Sequence, residues 1–237
     1  MKFFIRNFLL LLFISSCSLF IDRNPKESVE VKTNNGTIIG VEEKDYYSFK
    51  GIPFAQPPVG DLRWRAPRDL PNNNAVIYAD EYKSSCVQPG SGDFSFSFSR
   101  DIYSGDEDCL YLNVFVPKNQ VEFKKNKFPV MFWIHGGANI YGSGSDYDFS
   151  KLATSEQVII VTTNYRLGVF GWFSSRHLRD TSEGLDKSSN FGQLDLIKSL
   201  EWVKSNIKYF GGDANNVTVF GESAGGHNIL TLLASPL

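Results

Sequence analysis

The sequence predicts an α/β fold with a mainly parallel central sheet and antiparallel strands near its N-terminus. Short runs rich in Val, Ile and aromatic residues alternate with segments of helical spacing, which is the pattern of strands joined by helices. Two runs, at 129–134 and 158–161, are continuously apolar, as expected of strands buried on both faces of a sheet. The 237 residues, 42% of them apolar, suffice for one large core and for one domain, at most two.

Each element follows from a local pattern in chain order. Residues 37–41 and 46–49 are β-branched or aromatic runs around turn residues, which predict a hairpin. Five prolines between residues 51 and 71 predict a rigid surface loop without regular structure. Strands are also predicted at 110–116, 129–134, 158–161 and 217–220, and helices at 194–207 and 224–234, the first of them stopped by 211–213.

The charge balance limits the class of partner. The chain carries 24 basic and 26 acidic residues and lacks the basic excess of a phosphate-binding surface, so nucleic acid is excluded as the main partner. Cys86 and Cys109 lie 23 residues apart without a matching His or Cys-x-x-Cys partner, which makes a poor zinc pattern. No metal site and no cofactor are expected.

The N-terminus has the pattern of an export signal. Lys2 and Arg6 precede an apolar stretch at 8–14 that is too short to span a bilayer, so residues 1–16 are predicted to be a signal peptide. The order Ile-Ser-Ser-Cys at 14–17 resembles a lipobox, which predicts lipidation of Cys17; the alternative is an ordinary signal with a chance cysteine. Residues 17–28 are predicted to be a polar tether. The protein is expected to be exported as a membrane-anchored lipoprotein, otherwise periplasmic or secreted.

Cysteine usage agrees with export. The three cysteines are Cys17, Cys86 and Cys109, so lipidation or removal of Cys17 leaves an even pair. In an oxidising compartment that pair is expected to form a disulfide.

A nucleophile motif lies at residues 221–225. Gly-Glu-Ser-Ala-Gly matches G-x-S-x-G directly after a predicted strand and before a predicted helix, which is the context that the motif requires in an α/β-hydrolase fold. Gly221 and Gly225 lack the Cβ atoms that would clash in so sharp a turn. Exposed N–H groups at the helix N-terminus favour an oxyanion beside Ser223. The motif predicts Ser223 as a nucleophile; the alternative is a serine in a glycine-rich turn.

A second glycine segment follows the strand at 129–134. His135, Gly136, Gly137 and Ala138 match the HGGG-type loop of esterases, with Ala138 at the third glycine position. Such a loop provides N–H donors to an oxyanion, and one donor contributes about 3–4 kcal/mol to the transition state. The two motifs in this order predict acyl transfer.

Six ordered blocks together resemble the type B carboxylesterase family, which includes the cholinesterases, from about residue 29 to the last residue. They are GIPFA at 51–55 followed by PPVG at 57–60, EDCLYLNV at 107–114, HGG at 135–137, NYRLG at 164–168, FGGD at 210–213 and GESAG at 221–225. The resemblance implies an α/β-hydrolase fold and hydrolysis of a small-molecule carboxylic ester.

The resemblance also implies residue roles. Ser223 would be the nucleophile, and the N–H groups of Gly137, Ala138 and Ala224 would form the oxyanion hole. Gly136 would support that hole. Glu222 would line the floor of the active-site gorge and tune its preference for substrate charge. Cys86 and Cys109 would close the loop that walls one side of the gorge.

Other residues have competing interpretations. His135 is expected to orient the oxyanion loop, His177 to be solvated, and His227 to follow Ser223 along the helix axis instead of facing its Oγ. Arg63, Glu107, Arg166 and Asp195 are expected to form buried ion pairs. The alternation of Phe94, Phe96 and Phe98 with serines places the rings on one face of an extended segment, where they line the gorge or pack the loop onto the body.

The triad is incomplete in this sequence. The fold orders its triad Ser, then Asp or Glu, then His, and the 14 residues after Ser223 hold no acid and no usable His. The chain is therefore expected to be the N-terminal part, 29–237, of a carboxylesterase domain, truncated after the nucleophile elbow and inactive alone. The remainder is absent or supplied by a separate chain. The alternative is a non-catalytic remnant or surface-binding lipoprotein, against which the intact Ser223 argues.

Overall fold

The computed structural model describes residues 27–71, 75–90, 103–118 and 127–237. The predicted signal peptide at 1–16, the predicted lipidation site Cys17 and the three phenylalanines Phe94, Phe96 and Phe98 lie outside these residues. The strands are β1 (Ser28–Thr33), β2 (Gly36–Glu42), β3 (Tyr46–Pro53), β4 (Val76–Tyr78), β5 (Gln88–Pro89), β6 (Tyr103–Ser104), β7 (Tyr111–Pro117), β8 (Phe128–Ile134), β9 (Ile159–Thr163) and β10 (Gly212–Gly221).

Eight of the described strands form one mixed sheet in the order β1-β2-β3-β7-β9-β8-β10, with β4 beside β2. Along this order, neighbouring strands from β1 to β9 pair antiparallel, whereas β9, β8 and β10 run parallel. The β4 strand pairs parallel with β2. The predicted hairpin at 37–41 and 46–49 is confirmed by the pairing of Val41 with Ser48. β5 and β6 form a separate ribbon.

Helices lie on both faces of the sheet. They are α1 (Ser150–Glu156), α2 (Gly168–Trp172), α3 (Arg176–Thr181), α4 (Phe191–Asn206) and α5 (Ala224–Ala234), with 3-10 turns at Gly60–Leu62, Gly184–Lys187 and Ile207–Phe210. Along β7, Phe115 packs with Ala153 of α1, whereas the alternate residues Val114 and Val116 join a larger core that includes Leu196 of α4. Because successive strand residues face opposite sides, α1 covers one face and α4 the other.

The predicted helix at 194–207 is found with an earlier start, at Phe191, and it ends one residue earlier, at Asn206. Gly211 ends the following 3-10 turn in a left-handed conformation, with φ 83°. Among the described helices none is long and apolar enough to cross a membrane.

Two expectations are corrected. Residues 51–71 are not wholly irregular, because β3 continues through Pro53 and a 3-10 turn follows at Gly60–Leu62. Pro53 stands at the end of its strand, where its missing N–H is tolerated. Of the two expected buried ion pairs, only Arg166–Asp195 is buried; Arg63–Glu107 is formed, but its side chains remain 41% and 20% exposed.

Candidate active site

The turn between β10 and α5 holds Ser223 in a strained conformation. Its φ of 52° and ψ of −116° are rare for a residue with a side chain, and such strain persists where the surrounding structure enforces it. The N–H of Gly225 donates to the carbonyl oxygen of Glu222 over 2.8 Å. A Cβ atom on Gly225 would clash with the carbonyl oxygen of Ile134, and one on Gly221 would lie 2.8 Å from that same oxygen. The tight packing of the elbow on β8 therefore requires both glycines.

Strand pairing brings the second glycine segment to the elbow. β8 and β10 are parallel neighbours, and their last residues, Ile134 and Gly221, are partners in the register. The residues that follow each strand consequently emerge side by side at the same edge of the sheet. A Cβ atom on Gly136 would clash with the carboxylate of Glu222 and lie 2.9 Å from its carbonyl oxygen, so only glycine fits between the two segments.

The loop after β8 turns through three consecutive left-handed residues. Gly137, Ala138 and Asn139 have φ values of 92°, 55° and 59°. The carbonyl oxygen of Gly137 accepts hydrogen bonds from the N–H groups of Ile140 and Tyr141. Within the described residues, the N–H groups of Gly137 and Ala138 have no acceptor, and neither has that of Ala224, the first residue of α5. These donors are the ones that sequence assigns to the oxyanion hole.

His135 is buried behind this loop. Its ring stacks on Tyr165 with the centroids 4.4 Å apart, and Nδ1–H donates to the carbonyl oxygen of Gly136 over 2.9 Å. Burial lowers the pKa of His135 to about 4, so the ring is neutral at neutral pH. The Tyr165 hydroxyl donates to the carbonyl oxygen of His135 over 2.8 Å. These contacts show that His135 supports the loop and does not lie beside the nucleophile.

No general base stands beside Ser223 in the part of the chain that the structure describes. Its Oγ has no side-chain hydrogen-bond partner there. His227 donates its backbone N–H to the carbonyl oxygen of Ser223, as the next turn of the helix requires, and its side chain is exposed. His177 is exposed on α3. Groups of His, Cys, Asp and Glu that could hold a metal ion are also absent from the described ranges.

Glu222 lies at the open side of the elbow, and its side chain is exposed. Burial raises the pKa of the nearby Tyr147 phenol, with the negative charge of Glu222 as a second cause. Tyr147 packs on Trp133 with ring centroids 4.9 Å apart, and Trp133 packs on Phe220 at 4.8 Å. An aromatic cluster thus flanks the strand that ends at the nucleophile.

The predicted disulfide is present, and its loop is tied to the site. Cys86 and Cys109 are joined, with their Cα atoms 4.9 Å apart and both side chains buried. Two residues on, the Gln88 side chain brackets Gly142: Oε1 accepts from its N–H over 2.8 Å, and Nε2 donates to its carbonyl oxygen over 3.2 Å. Gly142 in turn packs against the ring of His135, where a Cβ atom would lie 2.5 Å from Nδ1.

Sequence reasoning missed three residues that hold the site together. Gln88 is one; Asn139 and Asn228 are the others, joined side chain to side chain with Nδ2 of Asn228 donating to Oδ1 of Asn139 over 2.9 Å. The position of Asn139, directly after the segment His135–Ala138, was the only local signal for any of them.

The comparison with family models agrees with this geometry. A model described as "Carboxylesterase family" matches residues 27–237. The chain belongs to the carboxylesterase family.

Individual carboxylesterases resemble the chain over most of its length. It is 47% identical over 208 residues to a para-nitrobenzyl esterase of Bacillus subtilis, covering 87% of this chain and 40% of the relative. It is 43% identical to a juvenile hormone esterase of Tribolium castaneum, covering 87% of this chain and 34% of that protein. The chain thus spans about 40% or less of the length of these relatives.

Solved structures confirm the α/β-hydrolase fold. The structure of a thermophilic pNB esterase superposes with a TM-score of 0.75 at 44% identity, covering 87% of this chain and 41% of that chain. A carboxylesterase of Geobacillus stearothermophilus gives a TM-score of 0.74 at 38% identity, covering 87% of this chain and 40% of the other. The residues described here therefore adopt the fold expected from the motif blocks.

Proposed function

We propose that this chain supplies the nucleophile and the oxyanion-binding loop of a serine carboxylic ester hydrolase. The observation that carries the proposal is the pairing of Ile134 with Gly221 at the ends of two parallel strands, which sets the oxyanion loop beside the strained Ser223. Family membership supports the reaction class. The proposed substrate is a small-molecule carboxylic ester. The relatives include esterases named for para-nitrobenzyl esters and for juvenile hormone, so the class of ester is left broad.

The chemistry follows from the groups at the elbow. The Ser223 Oγ attacks the carbonyl carbon of the ester, and the carbonyl oxygen becomes an oxyanion. The N–H groups of Gly137, Ala138 and Ala224 donate to that oxyanion, which electrostatic stabilisation favours over the ground-state carbonyl. The bond from the carbonyl carbon to the alcohol oxygen then breaks, and the alcohol leaves with the proton that the Ser223 hydroxyl gave up. Water next attacks the acyl carbon, which releases the carboxylic acid and returns a proton to the Ser223 Oγ. Gly136 keeps the loop close to the elbow, and Glu222 places a carboxylate at its open side.

Proton transfer requires groups that the described residues do not provide. A serine hydroxyl is a weak nucleophile until a base removes its proton. His135 is neutral but buried against Gly136 and Tyr165, and the side chain of His227 is exposed to solvent. We therefore propose that the acid and the histidine belong to a further portion of polypeptide, on this chain or on a separate one, and that residues 1–237 alone turn over esters very slowly.

The strain at Ser223 favours catalysis over a purely binding role. A φ of 52° at a residue with a side chain costs roughly 1–3 kcal/mol. A surface-binding or remnant protein would gain nothing that offsets this strain. Glycine at position 223 would relieve it. The exposed nucleophile in a strained turn is thus the feature that a non-catalytic protein would lack.

We propose in addition that the protein is exported and anchored through lipid on Cys17. The lipobox-like order at 14–17 supports the anchor. A buried disulfide between Cys86 and Cys109 supports an oxidising compartment, because cytosolic thiols are kept reduced.

The test of the enzymatic proposal is hydrolysis of p-nitrophenyl acetate by the purified chain and by Ser223→Ala. We expect equal rates close to background, because losing two triad members costs on the order of 10⁶ in rate. Fast turnover that Ser223→Ala abolishes would show that a base is present within the chain, with His227→Ala as the next variant. Esterase activity that appears in both proteins equally and well above background would refute Ser223 as the nucleophile.

A further inference from the structure

Two asparagines join the oxyanion loop to the nucleophile helix. Asn139 lies in the loop after β8, and Asn228 lies on α5, five residues after Ser223. Nδ2 of Asn228 donates to Oδ1 of Asn139 over 2.9 Å, and Nδ2 of Asn139 faces Oδ1 of Asn228 at 3.5 Å. The two amides thus form a reciprocal pair that bridges 89 residues of sequence, with one strong bond and one weak one.

Both members of this amide pair are fixed from other sides. The carbonyl oxygen of Asn139 accepts from the N–H of Gly168 over 2.7 Å. The carbonyl oxygen of Asn228 accepts from the side chain of Gln193 on α4 over 3.1 Å. Asn228 is 4% exposed, so each polar atom there needs a partner. The pair is therefore held in place by α4 on one side and by the first residue of α2 on the other.

The Tyr165 hydroxyl contacts both asparagines, but its single proton is used elsewhere. It lies 2.8 Å from the carbonyl oxygen of His135 and 3.3 Å from Oδ1 of Asn139. A phenol has one proton, and the shorter contact takes it. Asn228 is then the principal donor to Asn139. The left-handed φ of 59° at Asn139 is one that asparagine tolerates better than most residues.

We propose that Asn139 and Asn228 are positioning residues that hold the N–H groups of Gly137 and Ala138 at the correct distance from Ser223. This inference rests on the proposed function, because it concerns the same oxyanion hole. The loop is anchored on its other side by the Gln88–Gly142 contact, so the asparagine pair is its tie to the helix that bears the nucleophile. Loss of the pair should loosen the loop without disturbing the sheet.

The test uses the full chain and four variants of it, each with one substitution. Asn139→Ala and Asn228→Ala each remove the bond, and Asn139→Asp keeps the acceptor oxygen for Asn228. Asn216→Ala is the matched control, since it makes the same chemical change at an exposed position of β10. Hydrogen–deuterium exchange of the peptide covering 135–142 reports the loop, and that of 128–134 reports the sheet.

The second readout is covalent labelling of Ser223 by diisopropyl fluorophosphate, followed by intact mass. Oγ bonds to phosphorus, fluoride leaves, the hydroxyl proton passes to solvent, and the phosphoryl oxygen occupies the oxyanion hole. Attack by Ser223 without a base is slow in this reaction as well. The measurement nevertheless requires only one event per chain, so labelling is followed over a long incubation with fresh reagent, and its rate is taken as the excess over that of Ser223→Ala.

We expect at least about tenfold faster exchange of 135–142 and about tenfold slower labelling in each alanine variant, since small displacements of catalytic donors have effects of this order. The double alanine variant should be no worse than either single one, because they share a bond. Asn139→Asp and Asn216→Ala should stay within about threefold of the wild type on both readouts. Unchanged exchange at 135–142, or unchanged labelling, in the alanine variants would overturn the proposal.

Two further outcomes separate the causes of failure. Labelling of Ser223→Ala as fast as that of the wild type would refute the proposed nucleophile, while the exchange measurement would still decide whether the asparagine pair fixes the loop. Faster exchange at 128–134 as well as at 135–142 would assign the asparagines to general stability and would also overturn the positioning role.

Discussion

Asp195→Asn should destabilise the fold severely, because it leaves a buried cation without its counter-ion. Asp195 is fully buried on α4 and Arg166 is 3% exposed. The carboxylate accepts three hydrogen bonds from Arg166: Nε at 2.8 Å, Nη2 at 2.7 Å and the backbone N–H at 3.0 Å. Nη1 of Arg166 already lacks a partner among the described residues. The asparagine side chain in Asp195→Asn has nearly the same size, but its NH2 group is a donor and would face the donors of the Arg166 guanidinium.

The magnitude follows from this burial. Removing one partner of a buried ion pair costs about 3–5 kcal/mol, because the remaining charge stays desolvated. That loss is comparable to the whole stability of many domains, about 5–15 kcal/mol. We expect the urea midpoint of Asp195→Asn to fall sharply. Tryptophan fluorescence and far-UV circular dichroism of the purified chain monitor the unfolding.

The chain contains a matched control in its other arginine–carboxylate pair. Arg63 and Glu107 make the same two-pronged contact, but their side chains are 41% and 20% exposed. Glu107→Gln should therefore have a much smaller effect, since solvent screens exposed pairs. Replacing both buried partners, Arg166→Met with Asp195→Leu, should recover most of the stability. Equal losses for Asp195→Asn and Glu107→Gln would refute the argument from burial.

Three further predictions follow from single residues. Gly225→Ala should lose at least about 2 kcal/mol of stability by its clash with Ile134, whereas Gly226→Ala, whose nearest new contact is 3.8 Å away, should be neutral or stabilising; thermal unfolding of the pair checks this. Because burial lowers the pKa of His135 to about 4, the unfolded chain takes up the proton at a higher pH than the folded chain does. The stability should therefore fall by about 3 kcal/mol between pH 6.5 and 4 relative to His135→Asn, which does not titrate in this range. A parallel loss of stability in both proteins contradicts this prediction. Mass spectrometry of the membrane fraction should find a diacylated peptide beginning at Cys17, and a soluble mature protein that starts elsewhere would rule out the anchor.

The buried part of the fold was accessible to sequence reasoning, and the surface part was not. β8 and the first three residues of β9 are continuous apolar runs, which few structures other than a doubly covered strand accommodate. Helices α1 to α3 have only five to seven residues, too few for a period of 3.6 to show. β4 leaves Val76 and Tyr78 more than half exposed, so its alternation carries no signal of burial. Such elements are formed by tertiary contacts.

The site divides in a similar way. Ser223 and the HGG loop were predictable because backbone geometry there demands glycine at fixed offsets from the chemistry. The link from Asn139 to Asn228 and that from Gln88 to Gly142 join side chains or turns 89 and 54 residues apart. A single polar contact over such a separation imposes no spacing on the sequence. It appears only when the strand order has placed both partners at one edge of the sheet.

The geometry of the nucleophile does not depend on the groups that would move its proton. Gly221 and Gly225 pack on Ile134, the amide pair ties the loop to α5, and all these contacts lie within residues 134–228. A general base contributes about 10²–10⁴ to a rate, whereas donors to an oxyanion contribute separately and need no proton transfer. The oxyanion hole should therefore retain its effect in a chain without a base. A very low turnover that is equal in wild type and Ser223→Ala is then compatible with a fully formed site, and single-event labelling of Ser223 measures what this portion of the enzyme contributes.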